Sequence, residues 1–337
     1  MVKETTDTAA SPAIGTKMAR DEPLAPAAAT ADQLASLSIS EKTEEDAKPT
    51  EDPDLWKPGP PPEDCPVCLI PLPMLNAESA YFPCCGKTIC SACNEESDRA
   101  YNITNSKRAK KEQPPVEKSC AFCRKPYCDG DGYVKRCLLR TEKQDCEAHF
   151  VLGTQYRDGG VGLRKDESKA LELLLCAAEL GSTKAMAFLG DVYEDGSLGV
   201  KKDKGKSREY FEWAAKGGCL AARMSLGQME MENNNPDLAI RHWKIAAEGG
   251  FPLGMKLVWR NFYGGRFSKA ELEEILRAHQ NAIEERKTED RERYASFQKA
   301  MKGDDKVLIM LYLQYYQGVF KAKELNKALK AHRSLGP

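Results

Sequence analysis

The sequence predicts a chain in three parts: a disordered N-terminal tail, a small module held by metal-bound thiolates, and an all-α solenoid of stacked helical hairpins. Three observations carry that expectation. The first 57 residues hold 12 acids and 6 bases, are rich in Ala, Thr and Pro, and contain no aromatic residue before Trp56. Eight of the thirteen cysteines fall between Cys65 and Cys123. Beyond residue 145 the pair Leu-Gly recurs at 152, 189 and 226, a constant spacing of 37 residues, inside helix-period apolar patterning.

The tail cannot bury enough apolar surface to offset the entropy of ordering, so residues 1–60 are expected to be disordered. DPDLWKPGPPPEDC closes it with Pro53, Pro58, Pro60, Pro61 and Pro62, a stiff, extended approach to the first cysteine. The formal charge is −1, from 50 basic and 51 acidic residues, so no global field favours nucleic acid or an anionic membrane. No secretory signal is read at the N-terminus. The most apolar run, VLIMLYLQYYQGVF from Val307, is broken by Gln314 and Gln317 and is too short to span a bilayer. The expectation is a soluble, cytoplasmic chain, with SKRAKKE at 106–112 read as a solvated loop or, alternatively, a weak nuclear import signal.

In a reducing compartment clustered thiols point to metal rather than to disulfides. Cys65/Cys68, Cys90/Cys93 and Cys120/Cys123 are three CxxC pairs, each able to offer two thiolates to one tetrahedral ion, and Cys84 and Cys85 stand next to each other between them. Eight thiols are the number that closes two four-coordinate zinc sites with no open position. Cys128 is the alternative fourth ligand if only one of the doubled thiols coordinates. Cys146 and His149, with Cys137, form only one CxxH without a partner pair, and Cys176 and Cys219 read as helix packing.

The order and spacing of these cysteines resemble the RING finger family. That resemblance implies a small zinc-stabilised α+β fold over about 61–130, with a charged insertion at 94–119, and two Zn²⁺ held in a cross-braced arrangement. Cys65, Cys68, Cys90 and Cys93 would form site one; Cys84, Cys85, Cys120 and Cys123 would form site two. Lys87 stands where the family usually places a histidine three residues before its fifth ligand, and no histidine precedes His149, so the resemblance is to an all-cysteine variant. It further implies a ubiquitin-protein ligase without a covalent intermediate, whose partners are a ubiquitin-conjugating enzyme and ubiquitin. Val67 and Phe122 match the family's docking contacts, and Arg124 matches the linchpin that hydrogen-bonds both partners. Pro126 fits the family's CRxP ending, whereas Ala121 departs from its frequent proline. A non-catalytic zinc-binding scaffold is the alternative, because a fold alone does not deliver an activity.

From 145 to about 285 each repeat reads as two helices with a Gly- or Asn-rich turn. Asp166 and Asp203 are expected as helix caps, Asn235 as a cap with Pro236 at the first helical position, and Gly181, Gly217 and Gly249 as left-handed stops. The lines resemble Sel1-like repeats, relatives of the tetratricopeptide repeats: Ala187, Leu189, Gly190, Tyr193, Gly196, Val200, Asp203, Trp213, Ala214, Ala215 and Gly218 match that pattern in the second repeat. Arg208 departs from it. A degraded fourth unit begins at GMKLVWRNFYGG, and residues 286–337 are expected as helices capping the stack. Trp213, Trp243, Trp259 and Tyr193 read as core residues at helical spacing. The solenoid is expected to bind a protein or peptide partner.

Overall fold

The computed structural model describes residues 52–73, 78–128, 130–303, 306–317 and 319–334. The expectation of disorder over residues 1–51 lies outside the described residues. Two short strands, β1 (Ser79–Phe82) and β2 (Lys87–Cys90), pair antiparallel with Ser79 opposite Cys90 and Phe82 opposite Lys87. Helix α1 (Ser91–Ala109) follows directly from β2. It runs through the first half of the charged insertion and on to Ala109, so residues 106–109 of SKRAKKE are helix rather than loop. Its last turn holds Lys107 and Arg108, cations that suit the negative end of a helix, and Arg108 donates to the Pro114 carbonyl at 2.6 Å.

Helix α2 (Gly130–Thr141) leads into the stack, which comprises α3 (Cys146–Asp158), α4 (Glu167–Glu179), α5 (Thr183–Asp195), α6 (Lys204–Lys216), α7 (Leu220–Glu232), α8 (Pro236–Glu248), α9 (Pro252–Tyr263) and α10 (Lys269–Glu284). The apolar faces of neighbouring hairpins meet, so the core runs along the stack through Leu174, Leu189, Phe211, Leu226 and Ile275. Asp166 and Asp203 accept from the third helical N–H of α4 and α6 at 3.0 and 2.9 Å, as their positions predict. Asn235 holds the N-cap position of α8 with Pro236 first in the helix, as expected, but its side chain makes no cap bond and its amide donates to Glu230 at 2.9 Å.

Two of the predicted glycine stops shift by one residue. Gly181 has φ +91°, but the left-handed residues in the next repeats are Gly218 (φ +91°) and Gly250 (φ +88°). Gly217 and Gly249 keep negative φ and are small for a different reason: a Cβ on Gly217 would lie 2.2 Å from the Thr183 methyl, and one on Gly249 2.6 Å from Leu220.

The C-terminal helices also depart from expectation. α10 closes the stack against α8 and α9, but α11 (Glu289–Lys302), α12 (Lys306–Tyr316) and α13 (Ala322–Ser334) do not continue it. α11 and α12 pack on α1, and α13 on α12. Arg99 of α1 donates to the carbonyls of Tyr315 and Phe320 at 3.1 and 3.0 Å, and Tyr315 donates to Glu96. Tyr294 of α11 lies against the cysteine-rich core. The amphipathic partner these helices need is the long helix of the N-terminal module, a pairing that no local sequence pattern reveals.

The end of the tail differs as well. Residues 52–60, assigned by composition to the disordered segment, include a 3₁₀ turn over Pro53–Trp56 whose Leu55 is only 2% exposed against the solenoid. Pro53 at its first position and a capping Asp52 preset the turn, so few contacts suffice to fix it.

A candidate metal centre

Two loops of the same geometry present the outer cysteine pairs. In the first, the Cys65 N–H donates to the Ile70 carbonyl at 2.9 Å and the Leu69 N–H to the Cys65 carbonyl at 2.8 Å. In the second, Cys120 N–H donates to Lys125 at 2.8 Å and Arg124 N–H to Cys120 at 3.1 Å. Leu69 and Arg124 thus hold equivalent places, both with positive φ, at +57° and +61°. This knuckle turns two thiols three residues apart toward one point.

The inner pairs come from the β-hairpin. Cys84 and Cys85 form its turn, where the N–H groups of Cys85 and Gly86 both donate to the Phe82 carbonyl, at 3.2 and 2.8 Å. Gly86 adopts φ +68°, the bend that lets adjacent cysteines face the same way. Cys90 precedes α1 and Cys93 lies in its first turn.

The fold gathers these eight thiols into two groups. The Sγ atoms of Cys65, Cys68, Cys90 and Cys93 all lie within 4.8 Å of one another, as do those of Cys84, Cys85, Cys120 and Cys123. Individual separations are 4.0 Å for Cys68–Cys90, 4.0 Å for Cys85–Cys120 and 3.4 Å for Cys84–Cys123. A tetrahedral zinc with four thiolates needs S–S edges of about 3.8 Å, from a Zn–S bond of about 2.3 Å, so the donor set and its spacing fit that ion. The two clusters could hold metal ions, and pairs alternate between them along the chain. Cys128 lies outside both groups and packs beside Gly132, while Lys87 is exposed. Cys137 is fully buried beside Tyr133, Cys146 opens α3, and the His149 ring contacts the Asp145 carbonyl at 2.9 Å; these three form no metal cluster among the described residues.

Crowded thiols favour a cation. Within the first cluster, hydrogen bonds from Cys90 and Cys93 drive the Cys65 thiol strongly down, while those with Cys65 and Cys90 drive Cys93 strongly up. In the second, desolvation and the neighbouring Cys123 and Cys120 push Cys84 up, and Cys85 is pushed up to about 11, chiefly by desolvation. Without a cation a cluster of this kind resists carrying several thiolates; a divalent ion removes the obstacle by ligating them.

Around the clusters several side chains take positions of functional interest. Val67 and Phe122 occupy the same place in the two knuckles and are each 45% exposed. Arg124 is exposed. Sequence reasoning passed over Leu69, which is 74% exposed and one residue past the second ligand, although an apolar residue at a loop tip is a visible signal. It also missed Arg291 of α11, whose guanidinium donates to the carbonyls of Pro71 and Ile70 at 2.7 and 3.2 Å and lies 3.6 Å from the Cys68 sulfur. Nothing near residue 291 in sequence signals that contact.

The stacked hairpins place the chain among α-solenoid repeat proteins. The Sel1 repeat family model matches three consecutive segments, residues 146–182, 183–219 and 220–251, so this part of the chain is built of Sel1 repeats. Among solved structures, the chain is similar to a Sel1 repeat protein from Oxalobacter formigenes, with 30% identity over 38% of this chain and 97% of that one, and a TM-score of 0.35. It is also similar to a protective antigen present in uropathogenic Escherichia coli strains that displays an SLR fold, with 20% identity over 71% of this chain and 46% of that one, and a TM-score of 0.39. A search of curated proteins found no match to the chain. Repeats of this kind suggest protein–protein interaction. No described helix is long and apolar enough to cross a membrane.

Proposed function

We propose that the chain is a RING-type ubiquitin-protein ligase that docks a ubiquitin-conjugating enzyme on its N-terminal module and recruits substrate or partners through its Sel1 repeats. The observation that supports this reading most is the alternation of the eight thiols between two clusters, on knuckles whose exposed tips carry Val67, Leu69 and Phe122. Zinc bound by these residues would supply closed, rigid coordination and no open position for chemistry.

The work of the module is then positional. The conjugating enzyme carries ubiquitin as a thioester; a substrate lysine amine attacks the thioester carbonyl, an isopeptide bond forms and the enzyme's thiol leaves. Val67, Leu69 and Phe122 would bury apolar surface against the conjugating enzyme. Arg124, a planar fork of permanent charge held on a left-handed turn, would bridge it to ubiquitin and restrain the thioester for attack.

Autoubiquitination by the zinc-loaded chain with a panel of conjugating enzymes tests this. Activity lost in Val67→Ala and reduced at least about tenfold in Arg124→Ala supports the proposal, since the cost of one such hydrogen-bonding group is about 1.4 kcal/mol or more. The scaffold reading has an observation of its own: α11 and α12 cover one side of α1, so part of the module's surface already serves an internal contact. Two zinc ions per chain with no transfer across the whole panel would favour it.

A further inference from the structure

The solenoid holds a charge that its own packing does not need. Arg223 of α7 has no exposed surface, and one repeat earlier the same position is Met186, two repeats earlier His149. Its guanidinium donates to two main-chain carbonyls of the segment before the metal module, Leu55 at 2.7 Å and Lys57 at 2.7 Å, and its Nε has no partner. A desolvated cation is strongly unfavourable unless something satisfies it, and here two backbone oxygens do so, one inside the 3₁₀ turn and one just past it.

The rest of that segment fits the same groove at four further points. Leu55 enters the core cluster of Phe211, Ala215, Leu226 and Met229. Trp56 lies on His242, with ring centroids 4.6 Å apart, and under the Arg241 guanidinium at 4.1 Å. Asp52 pairs with Lys216 at 2.5 Å. At the far end Gly59 meets Gly218 backbone to backbone: a Cβ on Gly59 would stand 2.2 Å from the Gly218 Cα, and one on Gly218 would stand 2.9 Å from the Pro60 carbonyl oxygen. Carbonyls read by an arginine, a leucine pocket, an aromatic shelf, an acid subsite and a glycine gate are the parts of a peptide-recognition site.

We propose that this groove of the second and third Sel1 repeats is a peptide-binding site whose resident occupant is the chain's own residues 52–60, held as a displaceable strap. The partner it takes in trans is a protein segment of the same chemistry: an acid, a Leu–Trp pair beginning three residues later, and a glycine three residues after the tryptophan. The strap is favourable to displacement because most of its contacts are local to one turn and its neighbours are prolines, so it leaves and rebinds without disturbing the helices. Because strap and groove share one chain, the strap competes at an effective concentration in roughly the millimolar range.

The test uses the full chain and a fluorescein-labelled peptide of residues 51–62. Leu55→Asp/Trp56→Ala releases the strap while leaving every solenoid residue intact, and Gly59→Val releases it at a different contact. Fluorescence anisotropy is expected to show the peptide binding either released chain at least about tenfold more tightly than the parent. Adding Arg223→Met, the residue of the preceding repeat, to a released chain weakens binding at least about tenfold. Far-ultraviolet circular dichroism and zinc content check that each chain is folded. Folded released chains that do not bind the peptide, that bind it no better than the parent, or that bind it equally with Met at 223 overturn the proposal. So does parent protein whose strap is exchanged between two copies, shown by a dimer that the released variants lack.

Discussion

The N-terminal module and the solenoid solve the same problem by opposite means. In the solenoid, burial is repeated: each hairpin covers the apolar face of the next, and small residues such as Gly190 and Gly227 admit the rings of Phe211 and Trp243 to the backbone. The N-terminal module has two four-residue strands and one helix of weak amphipathicity, and three of the six buried residues in its core are cysteines. Its core is small, and metal ions held by the two thiol clusters would supply the stabilisation that so small a core lacks. One part of the chain is thus held by hydrophobic burial, and the other gathers two thiol clusters that could be held by metal ions, so each should fail under a different stress.

The largest effect expected is selective loss of the module. Cys120→Ser removes a buried thiol from the second cluster, and if the cluster holds zinc, which contributes on the order of 10–16 kcal/mol in small domains, the module should unfold outright. Hydrogen exchange should show residues 64–128 losing protection, α11–α13 loosening because their anchors on α1 are lost, and helices 146–251 unchanged. Metal content should fall below two ions per chain. Simultaneous loss of protection in the Sel1 repeats would show that the two parts are not stabilised separately.

A smaller effect, confined to the solenoid, is expected from its buried ion pair. Arg208, the residue that departs from the repeat pattern, donates to Glu230 at 2.6 Å across α6 and α7, and Asn235 and Glu212 complete the group. Glu230→Ala leaves the buried guanidinium only the longer pairing with Glu212 at 3.8 Å and should cost about 3 kcal/mol in urea unfolding of the helical signal. The metal content should stay as in the parent. The double change Arg208→Met/Glu230→Met should recover most of the loss, because an apolar pair of similar volume avoids desolvating either charge; if it does not, the network matters for more than its own charge balance.

How much of this was legible beforehand follows the same division. The repeat was visible because periodicity is local: Leu-Gly every 37 residues, with Asp166 and Asp203 before each second helix, needs no knowledge of what lies across the fold. The thiol groups were visible because cysteines placed to share an ion leave a spacing in sequence. What stayed hidden depends on contacts between distant segments. Arg291 beside Cys68, Arg99 beneath Tyr315, and residues 52–60 in the groove are contacts across more than 150 positions, and an exposed-looking arginine or a proline-rich linker has the same composition whether or not a partner awaits it. Composition correctly found little apolar content in the tail; it could not show that one leucine and one tryptophan at its end have a site. Gly217 and Gly249 illustrate the same point at short range, since the sequence marks a glycine but not whether it serves backbone conformation or a neighbour's approach.

The smallest of these effects separates the two regions by pH. His242 of α8 is buried beside Trp56, where its counterpart in the preceding repeat is Tyr210, and its Nδ1 has no partner. Burial, with the positive charges of Arg223, Arg208 and Arg241, lowers it from 6.5 to about 3. The unfolded chain therefore takes up a proton as pH falls through 6.5 while the folded solenoid does not, so the stability present above 6.5 is lost progressively down to about pH 3. At pH 5 the loss is about 2 kcal/mol, following from about 1.4 kcal/mol per pH unit. Thermal unfolding of the solenoid should move to lower temperature between pH 7.5 and pH 5, and His242→Tyr should flatten that slope. Asp191, raised to about 6 by desolvation and by Glu194 and Asp195, titrates nearby with the opposite sign, stabilising the fold as pH falls; its contribution is common to parent and variant and cancels in the comparison. An equal slope in His242→Tyr would mean that the proton is taken up elsewhere, and that the histidine beneath the strap is accommodated without cost.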